Sequence, residues 1–472
     1  MEIYSNIVAA ISGFLYQPFV VPLILLAGGL FFTFRSKFVQ IRLFGEMLKV
    51  VTEKPKEKGS VSSFGALMVS TASRVGTGNI VGVSTALCCG GPGAIFWLWV
   101  TALIGGASAF VESTLAQIFK RRDEKTGEFY GGPAYYMETA LNARWLGVIF
   151  SVIIILTYAV GYNMLAAYNL QSCFEAFSFY NAATPGILGV IMAALFLVIV
   201  LGGARRLANV TKILVPFMGV FYVLVALVVL VLNVGNIGPM FAEIFRSAFD
   251  FQAISGGFLG SVVMWGIKRG LYSNEAGMGS APNAAATADV SHPAKQGLVQ
   301  TLSVFIDSLL ICTATALMCL SSGLDPVEEL SGVAYVQQSL SVSLGSFGPV
   351  FIAAALSIFA FTTIIGNYYY CEGCLRFILK RPANKVELTV FRVCAAVLVL
   401  VGAMLSAGLV WDTADMLQGL MVVINIPVIL LLTKPAMKCL DDYVAQKKAG
   451  IASPTYNAKE CGIKQEIAWW KE

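Results

Sequence analysis

Apolar runs long enough to cross a bilayer recur along this chain from Pro18 to Thr433, and no other feature restricts its fold so severely. A hydrocarbon layer of roughly 30 Å takes about 20 residues at about 1.5 Å each. Backbone at that depth has no water to bond, so such runs must be helices. Eleven spans are expected, at about 18–34, 61–89, 92–119, 145–172, 185–202, 210–233, 255–286, 296–321, 347–376, 389–406 and 410–433. The expected fold class is therefore an all-α polytopic membrane protein. Composition agrees: hydrophobic residues make up 57% and charged residues 12% of the 472, far from the soluble balance. The first span does not read as a secretory signal, because no basic residue precedes it.

Lysine and arginine collect in alternate loops. Arg35, Lys37, Arg42, Lys49, Lys54, Lys56 and Lys58 follow the first span, and Lys120, Arg121, Arg122, Lys125 and Arg144 follow the third. Arg205, Arg206 and Lys212 follow the fifth, Lys295 precedes the eighth, and further groups surround the ninth-to-tenth loop and the tail. The opposite loops hold Glu2, Glu175, Glu243, Asp250, Asp325, Glu328 and Glu329 with one clear basic residue, Arg246. Cytoplasmic loops retain positive charge, so the N-terminus is expected outside and the C-terminus in the cytoplasm, across the plasma (inner) membrane. The net charge of +5 then reflects orientation and anionic lipid, and gives no argument for nucleic acid.

Chemistry is sparse. There is no H-E-x-x-H, Walker loop or G-x-S-x-G, so neither an enzyme nor a resident cofactor is expected. The ten cysteines form no disulfide framework. Cys371 and Cys374 make a lone C-x-x-C without a second pair or a histidine, and close helix packing accounts for it as well as metal does.

Two spans are unlike the rest. The second carries "SRVGTGN", Ser73 to Asn79, at mid-depth, and the seventh carries "MWGIKRGLYSNEAGMGSAPNAAATA", residues 264–288. Backbone can leave the helix at membrane depth only where it is buried in protein or lines a cavity. With the first span set aside, these two open successive groups of five, and an odd number inverts the second group. Matched interruptions in inverted halves point to a secondary transporter's binding site; glycines that merely let helices pack are the alternative. The chain divides accordingly into residues 1–60 (a helix and a basic loop), a core of 61–433 with halves 61–234 and 255–433, and a tail of 434–472. Unwinding near Thr77 and Gly78 would present amides at a positive helix end to a carboxylate. Carbonyls freed around Ala72 and Val75 would suit a hard cation such as Na⁺. The hydroxyls of Thr362 and Thr363, with the carbonyl of Phe359 one turn earlier, could complete its shell; bonding of the threonines to their own backbone is the alternative.

"GTGNIVGVSTALCCGGPGAIFWLWVTALIGGASAFVES", "GEFYGGPAYYME", "RGLYSNEAGMGSAP" and "KQGLVQTLSVFIDSLLICTATAL" resemble the alanine/glycine:cation symporter family from about Ser60 to Thr433. The resemblance implies a leucine-transporter type of fold and symport of small neutral amino acids with sodium. It implies carboxylate recognition at the amides of Thr77 and Gly78, and Asn79 as a side-chain ligand of substrate or ion. It also implies a sodium site from the carbonyls of Ala72, Val75 and Phe359 with the hydroxyls of Thr362 and Thr363. Two positions depart from the pattern. The "NMLAAYN" run keeps Asn163 and Met164 but has Ala166 where the family has glutamine, and Asn367 stands where a tryptophan often follows T-T-I-I-G. The pocket is thereby open to a bulkier neutral substrate such as glutamine.

Charges at bilayer depth cost on the order of 2.5–3.5 kcal/mol each, so Arg74, Glu112, Lys268, Arg269, Glu275 and Asp307 must pair or face water. They are read as structural pairs or as gates that open and close with transport, and Asp307 as a responder to a proton or ion. Trp265 and Met278 flank the second interruption as candidate substrate contacts, with plain packing the alternative. "DPVEELSGVAYVQQSLSVSLGSFG" is long enough for a helical outer lid. The tail ending "EIAWWKE" is placed on the inner membrane surface. The expected function is sodium-coupled symport of a small neutral amino acid, alanine or glycine first and glutamine next, with the lipid bilayer as its setting. Proton coupling in the same fold, or a passive amino-acid channel, are the rivals.

Overall fold

The computed structural model describes residues 2–55, 57, 60–249, 261–463 and 467–470, without the side chains of 204, 205 and 208. The start of the seventh expected span, Lys56, Lys58, Asp250, Lys464, Lys471 and the Arg205 side chain lie outside the described residues. The helices are α1 (Glu2–Leu15), α2 (Val21–Arg35), α3 (Val39–Arg42), α4 (Phe44–Val51), α5 (Ser63–Arg74), α6 (Val83–Gly90) and α7 (Gly93–Ile118). After a two-stranded hairpin, β1 (Arg121–Arg122) and β2 (Phe129–Tyr130), come α8 (Pro133–Leu141), α9 (Arg144–Ile155), α10 (Asn163–Ser172), α11 (Thr184–Val200), α12 (Gly203–Leu232) and α13 (Ile237–Ala248). Then follow α14 (Val262–Asn274), α15 (Pro282–Ala285), α16 (Pro293–Val304), α17 (Thr313–Ser321) and α18 (Val333–Leu344). The chain closes with α19 (Phe347–Leu379), α20 (Lys385–Ala403), α21 (Ala407–Leu431) and α22 (Thr433–Lys448). Among the described residues, 7 helices are long and apolar enough to cross a membrane, with four shorter apolar helices beside them.

Helices α1, α3, α4, α8, α13, α18 and α22 fall outside the eleven expected spans, most of them in the loops between spans. α1 is too short to cross and lies along α21, burying Val8, Ser12 and Leu15 from one face. α13 buries Met240, Ile244 and Ala248 at i, i+4 and i+8 against α7. The segment expected to form a lid does contain a helix, α18.

Three stretches are wound as π-helix: Gly78–Gly82, Leu156–Tyr162 between α9 and α10, and Phe305–Cys312 between α16 and α17. A π turn makes i→i+5 bonds, adds a residue to the turn and gathers at functional sites. Gly78–Gly82 is buried within the first interrupted helix, while the other two each bury most of their residues and expose Leu156 and Leu310. α7 is the hub, packed on α2, α13, α14 and α16. The two interrupted helices meet at their basic-loop ends, where Val61 bridges Ala288 and the Asp289 N–H donates to the Val61 carbonyl at 2.9 Å.

The tail does not lie free. α22 runs beneath the basic-loop end, where the Tyr443 hydroxyl donates to Glu46 at 3.0 Å and His292 Nε2 sits 3.0 Å from Asp442. Burial holds His292 below its usual range against the pull of Asp442, and its Nδ1 accepts from the Ala294 N–H. Trp470, 5% exposed, donates from its indole to the Gln117 carbonyl at 2.7 Å. This end of the tail packs on protein, where the sequence placed it on the membrane surface. A bare amphipathic reading does not see the buried carbonyl at the end of α7 that the indole satisfies.

Candidate functional site

The first interruption begins where α5 ends at Arg74 and Val75 turns out of the helix with ψ 88. Asn79 braces the turn: its Oδ1 accepts from the Gly76 N–H at 2.7 Å, and its own N–H donates to the Gly76 carbonyl at 3.2 Å. Glycine is required at Gly76 because a Cβ there would run into the Thr363 hydroxyl. Gly366 repeats the constraint one turn along α19, where a Cβ would lie 2.6 Å from the Ser73 nitrogen. α19 is thus pressed against the break at backbone distance. Thr362 donates to the carbonyls of Ile358 and Phe359, both at 3.0 Å. Thr363 Oγ1 is buried with no partner, facing Gly76. Ala72, Val75 and Phe359 are buried as well.

The second interruption follows α14. Glu275, Gly277 and Gly279 all take left-handed backbone, with φ of 55°, 85° and 81°. The amides so exposed point at Glu112 of α7, which accepts from Gly277 at 3.4 Å, Gly279 at 3.0 Å and Asn425 Nδ2 at 2.8 Å. All three donors are N–H groups, which suits a carboxylate. Asn425 also donates to the Gly277 carbonyl and accepts from the Tyr136 hydroxyl at 2.6 Å. Met278 is fully buried, its sulfur 3.7 Å from the Tyr162 hydroxyl.

Tyr272 stands between the breaks. Its hydroxyl is 3.0 Å from Thr77 Oγ1, and a Cβ on Gly78 would lie 2.9 Å from its ring. Asp307, in the third π stretch, accepts from Asn79 Nδ2 at 2.7 Å, Ser273 at 2.8 Å and Ser308 at 2.9 Å. A second chain of contacts runs from Asn163 through Asn367 and Ser73 to Glu275.

The six intramembrane charges fare differently. Lys268 and Arg269 both pair with Asp415 of α21, at 2.7 and 3.2 Å, a partner the sequence reading did not name. Arg269 also stacks 4.0 Å over Trp411 and 5.2 Å from Trp265, so Trp265 serves a cation here. Arg74, Glu112, Glu275 and Asp307 form no ion pair among the described residues, although pairing was expected of Arg74 and Glu112. Arg74 is buried and donates to the Gln300 carbonyl at 3.2 Å, while its Nε and Nη2 have no partner. Neutral hydrogen bonds hold the three carboxyls instead. Cys371 and Cys374 are buried free thiols.

A cavity of about 490 Å³ opens at the acidic-loop end, lined by Val81, Thr85, Asn169, Gln337 of α18 and Trp411. A smaller one, about 190 Å³, opens at the basic end beside Asn283, Tyr369 and Glu372. The two interruptions lie between them. What the sequence missed was the π winding and the polar partners on α21, Asp415, Gln418 and Asn425, which sit singly in an otherwise apolar run.

The family model described as the sodium:alanine symporter family matches residues 1–458. The chain is 44% identical over 451 residues to a Bacillus subtilis protein named "Probable sodium/glutamine symporter GlnT", covering 95% of this chain and 92% of the relative. It is 37% identical over 442 residues to the sodium/alanine symporter AgcS of Methanococcus maripaludis, covering 91% and 95%. It is 38% identical over 437 residues to the sodium/proton-dependent alanine carrier protein of Bacillus sp. strain PS3, covering 90% and 97%. With helices apolar enough to cross a membrane many times and matched breaks between two cavities, this chain belongs to the sodium:alanine symporter family of multi-pass membrane transporters.

Proposed function

We propose that this protein carries a small neutral amino acid into the cell together with Na⁺ by alternating access, with alanine or glycine the leading substrates and glutamine the alternative. The observation that carries the reading is the Thr363 hydroxyl, buried without a partner against the unwound Gly76. An orphaned buried oxygen costs about 1–3 kcal/mol unless something binds it. A dehydrated Na⁺ held there with the carbonyls of Ala72, Val75 and Phe359 and the Thr362 hydroxyl would remove that cost. Thr362 already donates its proton to its own helix, which leaves its lone pairs free for a cation.

The substrate carboxylate is assigned to the amides of Thr77 and Gly78, beneath Tyr272. Asn163 lies near the break, but Asn79 is committed to bracing it and Trp265 to a cation. Met278 is reached only if Tyr162 moves. Residues 61–234 and 255–433 are taken as inverted halves, with the acidic loops outside and the basic loops in the cytoplasm of a cell-membrane protein. One Na⁺ moving down a tenfold gradient and 100 mV gains about 1.4 and about 2.3 kcal/mol, enough to concentrate a neutral substrate about 500-fold.

The test is uptake of labelled alanine, glycine and glutamine into proteoliposomes under an inward Na⁺ gradient at constant pH. Accumulation above equilibrium is expected; uptake driven only by a proton gradient, or mere equilibration, would overturn Na⁺ symport in favour of the proton-coupled or channel reading.

A further inference from the structure

Ser73 has one hydroxyl proton and two neighbours placed to receive it: Asn367 Oδ1 at 2.7 Å and Glu275 Oε1 at 2.9 Å. Asn367 Nδ2 is engaged with Asn163 Oδ1 at 2.9 Å, which turns the Asn367 oxygen toward Ser73. The Ser73 proton is then used on Asn367. The proton between Ser73 and Glu275 has to come from the carboxyl, because no other hydrogen lies on that line. On the far side the Ser280 hydroxyl donates to Glu275 Oε2 at 2.6 Å.

A carboxamide's oxygen and nitrogen exchange places on rotation, so the chain has a second self-consistent direction. Asn163 Nδ2, buried and without a partner in the first arrangement, would donate to Asn367. Asn367 would donate to Ser73, and Ser73 to an ionised Glu275. Every contact is kept and every arrow reverses. In one direction Glu275 holds a proton; in the other it has released it to water.

We infer that Glu275 is a proton-binding site whose occupancy sets the direction of the hydrogen-bond chain through Ser73, Asn367 and Asn163. Charge supports the geometry. Arg74 acts on Glu112, Glu275 and Asp307, and among the described residues it forms an ion pair with none of them. One guanidinium cannot balance three buried carboxyls, so burial favours a neutral form where no charged partner is in contact. The other groups facing Glu275 are the uncharged phenols of Tyr158 and Tyr162 from the second π stretch, Tyr272 from α14 and Tyr370 from α19. The chain reaches from the second break through α5 and α19 to α10, so gain or loss of the proton is felt at both breaks and at Asn367 and Asn163. This extends the symport reading without depending on it.

Infrared difference spectroscopy of the full-length protein in liposomes across a pH titration tests it. A protonated-carboxyl carbonyl band should vanish as pH rises, be absent in Glu275→Gln and remain in Asp307→Asn. Asn367→Leu removes the competing acceptor and frees Ser73 to donate to the carboxylate, so proton affinity should fall about tenfold and the midpoint move to lower pH. Adding Ser73→Ala should abolish that shift, which keeps the test open if Glu275→Gln fails to fold. A band that survives in Glu275→Gln, or an Asn367→Leu midpoint that stays or rises, would overturn the inference. Absence of Na⁺-driven uptake in the unchanged protein would overturn the symport reading alone and leave the titration legible.

Discussion

The two interrupted helices solve the same problem in opposite ways. At the second, left-handed Glu275, Gly277 and Gly279 turn amides inward, and Glu112 of a neighbouring helix accepts from two of them. At the first, the turn is braced by a neutral carboxamide, Asn79, and among the described residues no carboxylate accepts from residues 75–78. One break is filled by the protein's own carboxylate; at the other, among the described residues, a neutral carboxamide alone accepts from the turn. The difference bears on the proposed assignment: a broken helix whose positive end is already neutralised has little affinity left for a substrate carboxylate, so the proposed carboxylate site falls at the first break.

The contrast is easiest to break at Glu112. Glu112→Ala leaves the Gly277 and Gly279 amides and one of the two Asn425 Nδ2 hydrogens without an acceptor in a dry interior, and should destabilise the fold by about 3 kcal/mol or more. Thermal unfolding followed by size-exclusion chromatography reads this; a variant as stable as the parent would mean that the second break does not need its anion. Gly279→Ala comes next. A side chain at φ 81° would also meet the Asn425 amide at 2.9 Å, at a cost of about 1–3 kcal/mol in the same assay. Asn79→Ala removes the neutral brace from the first break and one donor from Asp307, and should cost about 1–2 kcal/mol. Amino-acid affinity should fall further than stability if the first break is the site. The smallest loss of stability is expected of Thr363→Ala, where removing the unpaired buried oxygen gains about 1–3 kcal/mol and offsets the loss of one buried methyl, about 1 kcal/mol. Its effect belongs elsewhere: half-maximal activation should need about tenfold more Na⁺, or about 1.4 kcal/mol. Unchanged Na⁺ dependence would remove Thr363 from the cation site.

Much of this was legible in the chain. Gly76, Gly78, Gly277 and Gly279 announce backbone that leaves the helix, because nothing else tolerates such close approach or positive φ inside an apolar run. Arg74, Glu112, Lys268, Arg269, Glu275 and Asp307 announce polar interiors, because hydrocarbon rejects them. Their partners were less visible. Asp415 and Asn425 sit in the last long helix among leucines and valines, and a single polar residue there reads as tolerated noise until the fold sets it against Lys268 or Glu112. α1 and α13 escaped a search for spans because each buries only one face. The helix at Val333–Leu344 was anticipated because the polarity of its segment interrupts the hydrophobic count.

The sequence by itself determined that the chain crosses a membrane repeatedly, where two of its helices must break, and that charges such as Arg74 and Glu275 must be shielded from lipid, since each follows from the local cost of placing a residue type in hydrocarbon. Only the tertiary structure decided that Lys268 and Arg269 share Asp415, that Glu112 fills the second break, that Trp470 is docked under α7, and that one hydroxyl on Ser73 stands between Asn367 and Glu275. Those are choices among many possible partners. A buried polar atom fixes that it must have a partner, whereas its partner is fixed only by which helices the fold brings within about 3 Å.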